Sequence, residues 1–171
     1  MRTLPPLCAL AAAVMMMLVQ MMVPASADDA PFAIAGTVKV TRVIDGDSLK
    51  SGQLNIRIFG IDAPEGRQSC KQADGRDWMC GKAASTAMAE IVASAPRLQC
   101  DLLDTDRYGR LVMRCFAGET DIAAALVARG LAVAYRRYSM DYVDAEVRAS
   151  SAQRGMWQGK FEMPWDWRKK N

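Results

Sequence analysis

Apolar and polar positions alternate in short runs over the first half of the chain. Val38, Val40 and Val43 are followed by a turn signal at Asp45-Gly46, then by Ser48-Leu49-Lys50 and a second turn at Ser51-Gly52. Leu54, Ile56 and Ile58 then alternate with Asn55, Arg57 and Phe59. This period of two predicts three strands between Gly36 and Phe59, with Arg57 on the face opposite Ile56 and Ile58. Residues 66–80 hold Gly66, Gly75, Asp74 and Asp77 and predict a loop. From Gly81 to Ala95 the period changes: Ala84, Met88, Ile91 and Ala95 fall at helical spacing, and Pro96 stops the helix. Leu98, Cys100 and Leu102, then Leu111, Met113 and Cys115, restore alternation and predict two strands turning at Arg107-Tyr108. Asp121 is placed to cap a helix over residues 122–129 that Gly130 ends. Residues 131–135 read as a short strand or buried connection. Asp141 or Ser139 would cap a last helix reaching about Arg154, with Tyr142, Val143 and Val147 as its apolar contacts. In the tail, Trp157, Trp165 and Trp167 read as packing anchors.

The order of elements predicts an α+β class, mainly β: a five-stranded barrel of the OB type with three helices. The open face of such a barrel commonly binds oligonucleotides. The first 27 residues do not belong to that pattern. Arg2, an apolar run from Leu7 to Val23 and the small residues of Pro24-Ala25-Ser26-Ala27 have the order of a secretory signal peptide, with an uncleaved membrane anchor as the alternative. The expected organisation is a signal over 1–27, a short segment over 28–35, one domain over 36–157 and a basic tail over 158–171. Export to the periplasm or medium follows, and a monomer is expected.

Charge adds little, since 22 basic residues face 19 acidic ones. Arg136-Arg137 read equally as substrate-backbone contacts or surface charge, and Arg168-Lys169-Lys170 as a solvated basic tail. The cysteines add more. An exported chain retains Cys70, Cys80, Cys100 and Cys115, an even number that predicts two disulfides. A hairpin at Arg107-Tyr108 sets Cys100 opposite Cys115, which leaves Cys70 to close a loop with Cys80. Each bridge is worth about 3 kcal/mol in the chain-entropy description. A zinc site is the alternative, but there is no histidine and no closely spaced cysteine pair.

The missing histidine also limits the chemistry. Catalysis would have to use carboxylates, arginines and metal-bound water. Suitable groups lie in Asp45-Gly46-Asp47, Arg57, Asp62-Ala63-Pro64-Glu65 and Asp106-Arg107-Tyr108-Gly109-Arg110. Carboxylates suit a hard divalent ion, and guanidinium forks suit a phosphate. Asp45 and Asp106 read as turn formers.

Taken in order, these motifs resemble the staphylococcal nuclease, or thermonuclease, family from about Gly36 to Trp157. The resemblance implies calcium-dependent cleavage of DNA or RNA, leaving 3′-phosphates. It implies that Asp47 and Asp62 hold Ca²⁺ together with the backbone carbonyl of Ala63. Arg57 and Arg110 would hold the scissile phosphate, Glu65 would activate water, and Tyr108 and Tyr135 would line the nucleotide pocket. Two departures stand out: Ser48 replaces a commoner threonine, and the loop after Glu65 carries Cys70, Cys80 and Trp78. That loop is expected beside Glu65, where it would bear on substrate size. The competing readings are an OB-type module that binds nucleic acid or protein without cutting, and a structural calcium-binding envelope protein, which leaves the arginines unexplained.

Overall fold

A computed structural model describes residues 34–171; the signal-peptide assignment lies outside the described residues. Strands β1 (Ile34–Val38), β2 (Arg42–Val43), β3 (Ser48–Ser51) and β4 (Leu54–Ile58) come first. Two-residue strands follow: β5 (Ile61–Asp62), β6 (Cys70–Lys71) and β7 (Asp77–Trp78). Next come α1 (Cys80–Ala93), β8 (Leu98–Thr105), β9 (Leu111–Ala117), β10 (Thr120–Asp121), α2 (Ile122–Ala128), β11 (Val133–Ala134), α3 (Val143–Ser151) and α4 (Pro164–Lys170). The main sheet runs β1-β8-β9-β4-β3-β2, with β10 beside β9. Its first and last members, β1 and β2, are consecutive in the chain. They act as two halves of one bent strand, so the path returns to its start and makes the five-stranded, OB-type arrangement of an α+β fold. The β4–β9 pair is parallel and the other pairs on the path are antiparallel.

The alternation did its work inside the barrel. Leu49, Ile56, Ile58, Leu98 and Met113 point into the main core, where α1 contributes Ala84, Met88 and Ile91 and α2 contributes Ile122 and Leu126. Asp121 caps α2, its carboxylate accepting from the Ala124 amide at 3.0 Å. Cys100 lies directly opposite Cys115 and bridges to it, and Cys70 bridges to Cys80.

Several expectations need correction. Leu54, at the open end of β4, is 54% exposed, because the apolar face is buried only from Ile56 onward. α3 begins at Val143 without a side-chain cap from Asp141 or Ser139, and its Val147 faces solvent at 54% exposure. The first strand starts at Ile34, inside the segment set apart as 28–35. The 66–80 loop holds the small β6–β7 ladder. The tail carries α4 instead of running loose, while Trp157 and Trp165 pack as the anchors expected, with Trp78 around the buried Cys70, Cys80, Val133 and Met156. Trp167 is not part of that cluster. No helix among the described residues is long and apolar enough to cross a membrane.

Candidate active site

Two buried carboxylates meet at one end of β4. Asp47 closes the turn into β3, its own amide donating to Asp45 Oδ1 at 3.0 Å, which is the turn role expected of Asp45. Gly46 is required there, since a Cβ would lie 2.7 Å from the Cβ atoms of both Ala63 and Ala84. Arg57 pairs in register with Ser48 and so projects beside Asp47. Its guanidinium donates to Asp47 Oδ1, to Asp62 Oδ1 at 2.6 Å and to the Ile61 carbonyl at 3.2 Å. Asp47 Oδ1 also accepts from the Ser48 hydroxyl at 3.0 Å, and Oδ2 accepts from the Ala63 amide at 2.7 Å. Asp47 is 2% exposed and Asp62 0%. Four predicted residues, Asp47, Arg57, Asp62 and Ala63, thus form one bonded network.

Glu65 joins the network through Arg168, which is not the solvated tail charge expected of it, and through Gln68, which the sequence did not single out. Arg168, from α4, donates to Asp62 Oδ1 at 3.1 Å, to Asp62 Oδ2 at 2.7 Å and to Glu65 Oε1 at 2.8 Å. Asp62 therefore sits between two guanidiniums. Gln68 is fully buried and holds the backbone on either side of the site. Its Oε1 accepts from the Glu65 amide at 3.2 Å, and its Nε2 donates to the Glu162 carbonyl of the tail at 2.7 Å. Gly81, at the start of α1, lets the helix approach Glu65: a Cβ there would stand 1.7 Å from the Glu65 carbonyl oxygen. The loop holding Cys70 and Cys80 makes its backbone contacts with the tail, the Lys71 amide donating to the Lys160 carbonyl at 2.8 Å.

Arg110 stands apart from the acids. It bonds within its own turn, Nε donating to Asp106 Oδ2 at 2.7 Å, and its guanidinium lies 5.6 Å from the Tyr108 ring centre. Asp106 also accepts from the amides of Tyr108 and Arg110, so it is the turn former expected. Tyr108 is 69% exposed. Tyr135 is tied to the β4–β5 turn by its amide, which donates to the Gly60 carbonyl at 2.9 Å, and its ring lies 5.6 Å from that of Trp165. Arg136 pairs with the buried Glu146, whose other oxygen accepts from the Ala134 amide at 2.9 Å. That bond commits Arg136 to holding β11, which its surface pattern did not reveal.

The electrostatics follow from burial. Desolvation pushes the Asp47 carboxyl above its usual range, and the charge of Arg57 only partly offsets this. Burial works against the charged form of Arg57 and Arg168 as well, but their carboxylate partners outweigh it and both are held firmly protonated. Among the described residues, no three His, Cys, Asp or Glu side chains converge tightly enough to cage a metal ion. The smaller set implied for calcium still fits chemically. Asp47 and Asp62 are hard oxygen donors on neighbouring chain segments, both drawn to one cationic group, and Ca²⁺ takes its remaining ligands from carbonyls and water.

The chain matches the staphylococcal nuclease homologue family over residues 55–159. It is 31% identical over 122 residues to the succinoglycan biosynthesis protein ExoI of Rhizobium meliloti, covering 70% of this chain and 64% of that protein. It is 30% identical over 148 residues to a thermonuclease of Staphylococcus hyicus, covering 76% and 85%. With a micrococcal nuclease of Shigella flexneri it shares 29% identity over 149 residues, covering 77% and 79%. The chain spans less than two thirds of the length of some relatives, 64% of the Rhizobium protein and 35% of one from rice. Asp47 lies before the family match and Arg168 beyond it.

Proposed function

Because the chain belongs to the staphylococcal nuclease family, we propose that it is a nuclease that hydrolyses phosphodiester bonds of DNA or RNA with calcium as its metal. The observation that carries this reading is the convergence of Arg57 with the buried Asp47 and Asp62, with Glu65 tied into the same network. Asp47, Asp62 and the Ala63 carbonyl would hold the ion, which when bound polarises the phosphoryl group and helps fix the attacking water.

The protein groups divide the remaining work. Arg57 and Arg110 present guanidinium forks that stay charged and match phosphate oxygens. They stabilise the negative charge that grows on the equatorial oxygens as water adds to phosphorus. Arg57 is held by Asp47, Asp62 and the Ile61 carbonyl, whereas Arg110 is held through Nε by Asp106. Glu65 accepts the water proton, and the bond to the 5′ oxygen breaks to leave a 3′-phosphate. Tyr108 and Tyr135 offer ring faces on which a base can stack. The two disulfides suit an exported, oxidised setting.

End-labelled single- and double-stranded DNA and RNA, incubated with the purified protein, test the reading. Cleavage should require calcium, stop with EDTA and leave 3′-phosphates. Glu65→Gln should lower kcat by about 10²–10⁴, the usual worth of a positioned base, and Arg110→Ala should be at least as damaging, both with unchanged circular dichroism. Full activity in both variants would sink the mechanism. Tight binding without turnover would mark a recognition module instead.

A further inference from the structure

The site contains a cation that belongs to the protein, and it comes from the far end of the chain. Arg168 makes three hydrogen bonds, two to Asp62 and one to Glu65, across more than a hundred residues of sequence. It is held there by more than its own charge. Trp165, one helical turn earlier, packs with the cluster around Cys70, Cys80 and Met156 and lies against Tyr135. Gln68 and Lys71 bond the backbone leading into α4. Lys170, the last residue of α4, pairs with Glu162, two residues before the helix begins.

The charges of the cluster matter for what else can bind. Four carboxyl groups, Asp45, Asp47, Asp62 and Glu65, share this region with two guanidiniums, Arg57 and Arg168. The guanidiniums offset part of the acidic charge that would attract a divalent ion, and both oxygens of Asp62 already accept from them. Removing Arg57 would expose both buried acids to each other. Removing Arg168 would free Asp62 Oδ2 and Glu65 while leaving Arg57 to separate Asp47 from Asp62.

We infer that Arg168 is a built-in counter-ion that competes with the divalent cation for Asp62, so that the C-terminal helix sets the metal affinity of the site. Metal binding then requires the guanidinium to leave Asp62, and α4 is loosened when the site fills. The inference rests on the reading of Asp47 and Asp62 as a cation site.

Calorimetric titration of Ca²⁺ into wild type, Arg168→Gln and Arg168→Lys tests it without any turnover. Arg168→Gln should bind calcium at least tenfold more tightly than wild type, and the charge-conserving Arg168→Lys should lie closer to wild type. Equal or weaker binding in Arg168→Gln would overturn the competition while leaving the metal site standing. No binding to any form would overturn both. A second measurement needs no variant: hydrogen exchange across residues 164–170 of wild type should quicken on saturation with Ca²⁺, and unchanged or slower exchange would overturn the inference.

Discussion

At the scale of single residues, the acidic positions divide by what they bond. Asp47 and Asp62 are buried and matched by guanidiniums, whereas Asp106 serves its turn. Burial pushes the Asp106 carboxyl up, but bonds from the Arg110 amide and guanidinium and from the Tyr108 amide outweigh it and hold it below the usual range. A carboxyl lowered in the folded state stabilises the fold above its unfolded pKa, near 4, and this contribution is lost as pH falls through the folded value. Asp106→Asn should therefore weaken the protein at pH 7, and the difference should shrink as pH is lowered below about 4, as read from a series of urea melts. Gly81 permits a different test. Gly81→Ala drives a methyl group into the Glu65 carbonyl, so it should cost about 1–3 kcal/mol by overpacking and lower the proposed nuclease activity more than an equally destabilising change in α3.

At the scale of elements, the long barrel strands and the first three helices were legible from their periods and turn signals, whereas the β6–β7 ladder and α4 were not. Val38 through Ile58 alternates, and α1 repeats Ala84, Met88 and Ile91 on one face. The Cys100–Cys115 pairing followed from the same alternation, since two apolar faces in antiparallel register bring those positions opposite. The tail was legible only in part: Trp157 and Trp165 pack as anchors as expected, but α4 and the inward turn of Arg168 were not foreseen. Arg168 stands in a run of three basic residues, and nothing local says which one turns inward; Lys169 pairs with Asp166 and Lys170 with Glu162. Trp165 and Arg168 at a spacing of three were the available signal, meaningful only if a helix forms there. Gln68 was hidden for a related reason, because a lone glutamine in a polar loop shows no sign that both ends of its amide are used. The Cys70–Cys80 bridge anchors this assembly from below. Replacing both cysteines with serine should cost roughly 2–3 kcal/mol in the chain-entropy description. It should also open the tail to carboxypeptidase at a rate that the Cys100→Ser/Cys115→Ser pair does not reproduce.

At the scale of the whole molecule, the site is assembled from both ends of the domain onto one barrel. The strands β4 and β5 and the last helix meet at Asp62, and the turn before β3 joins them through Arg57. The barrel itself closes through the bend between β1 and β2, the two ends of the main sheet. An open sheet exposes rows of unpaired amides and carbonyls on which another chain can build. Here, among the described residues, the sheet ends on β1 and β2, which are five and two residues long, so its edges are short for recruiting a second copy. Sedimentation at high concentration should accordingly give the mass of a single chain, and partly unfolded forms should aggregate first through whichever half of that bent strand comes loose.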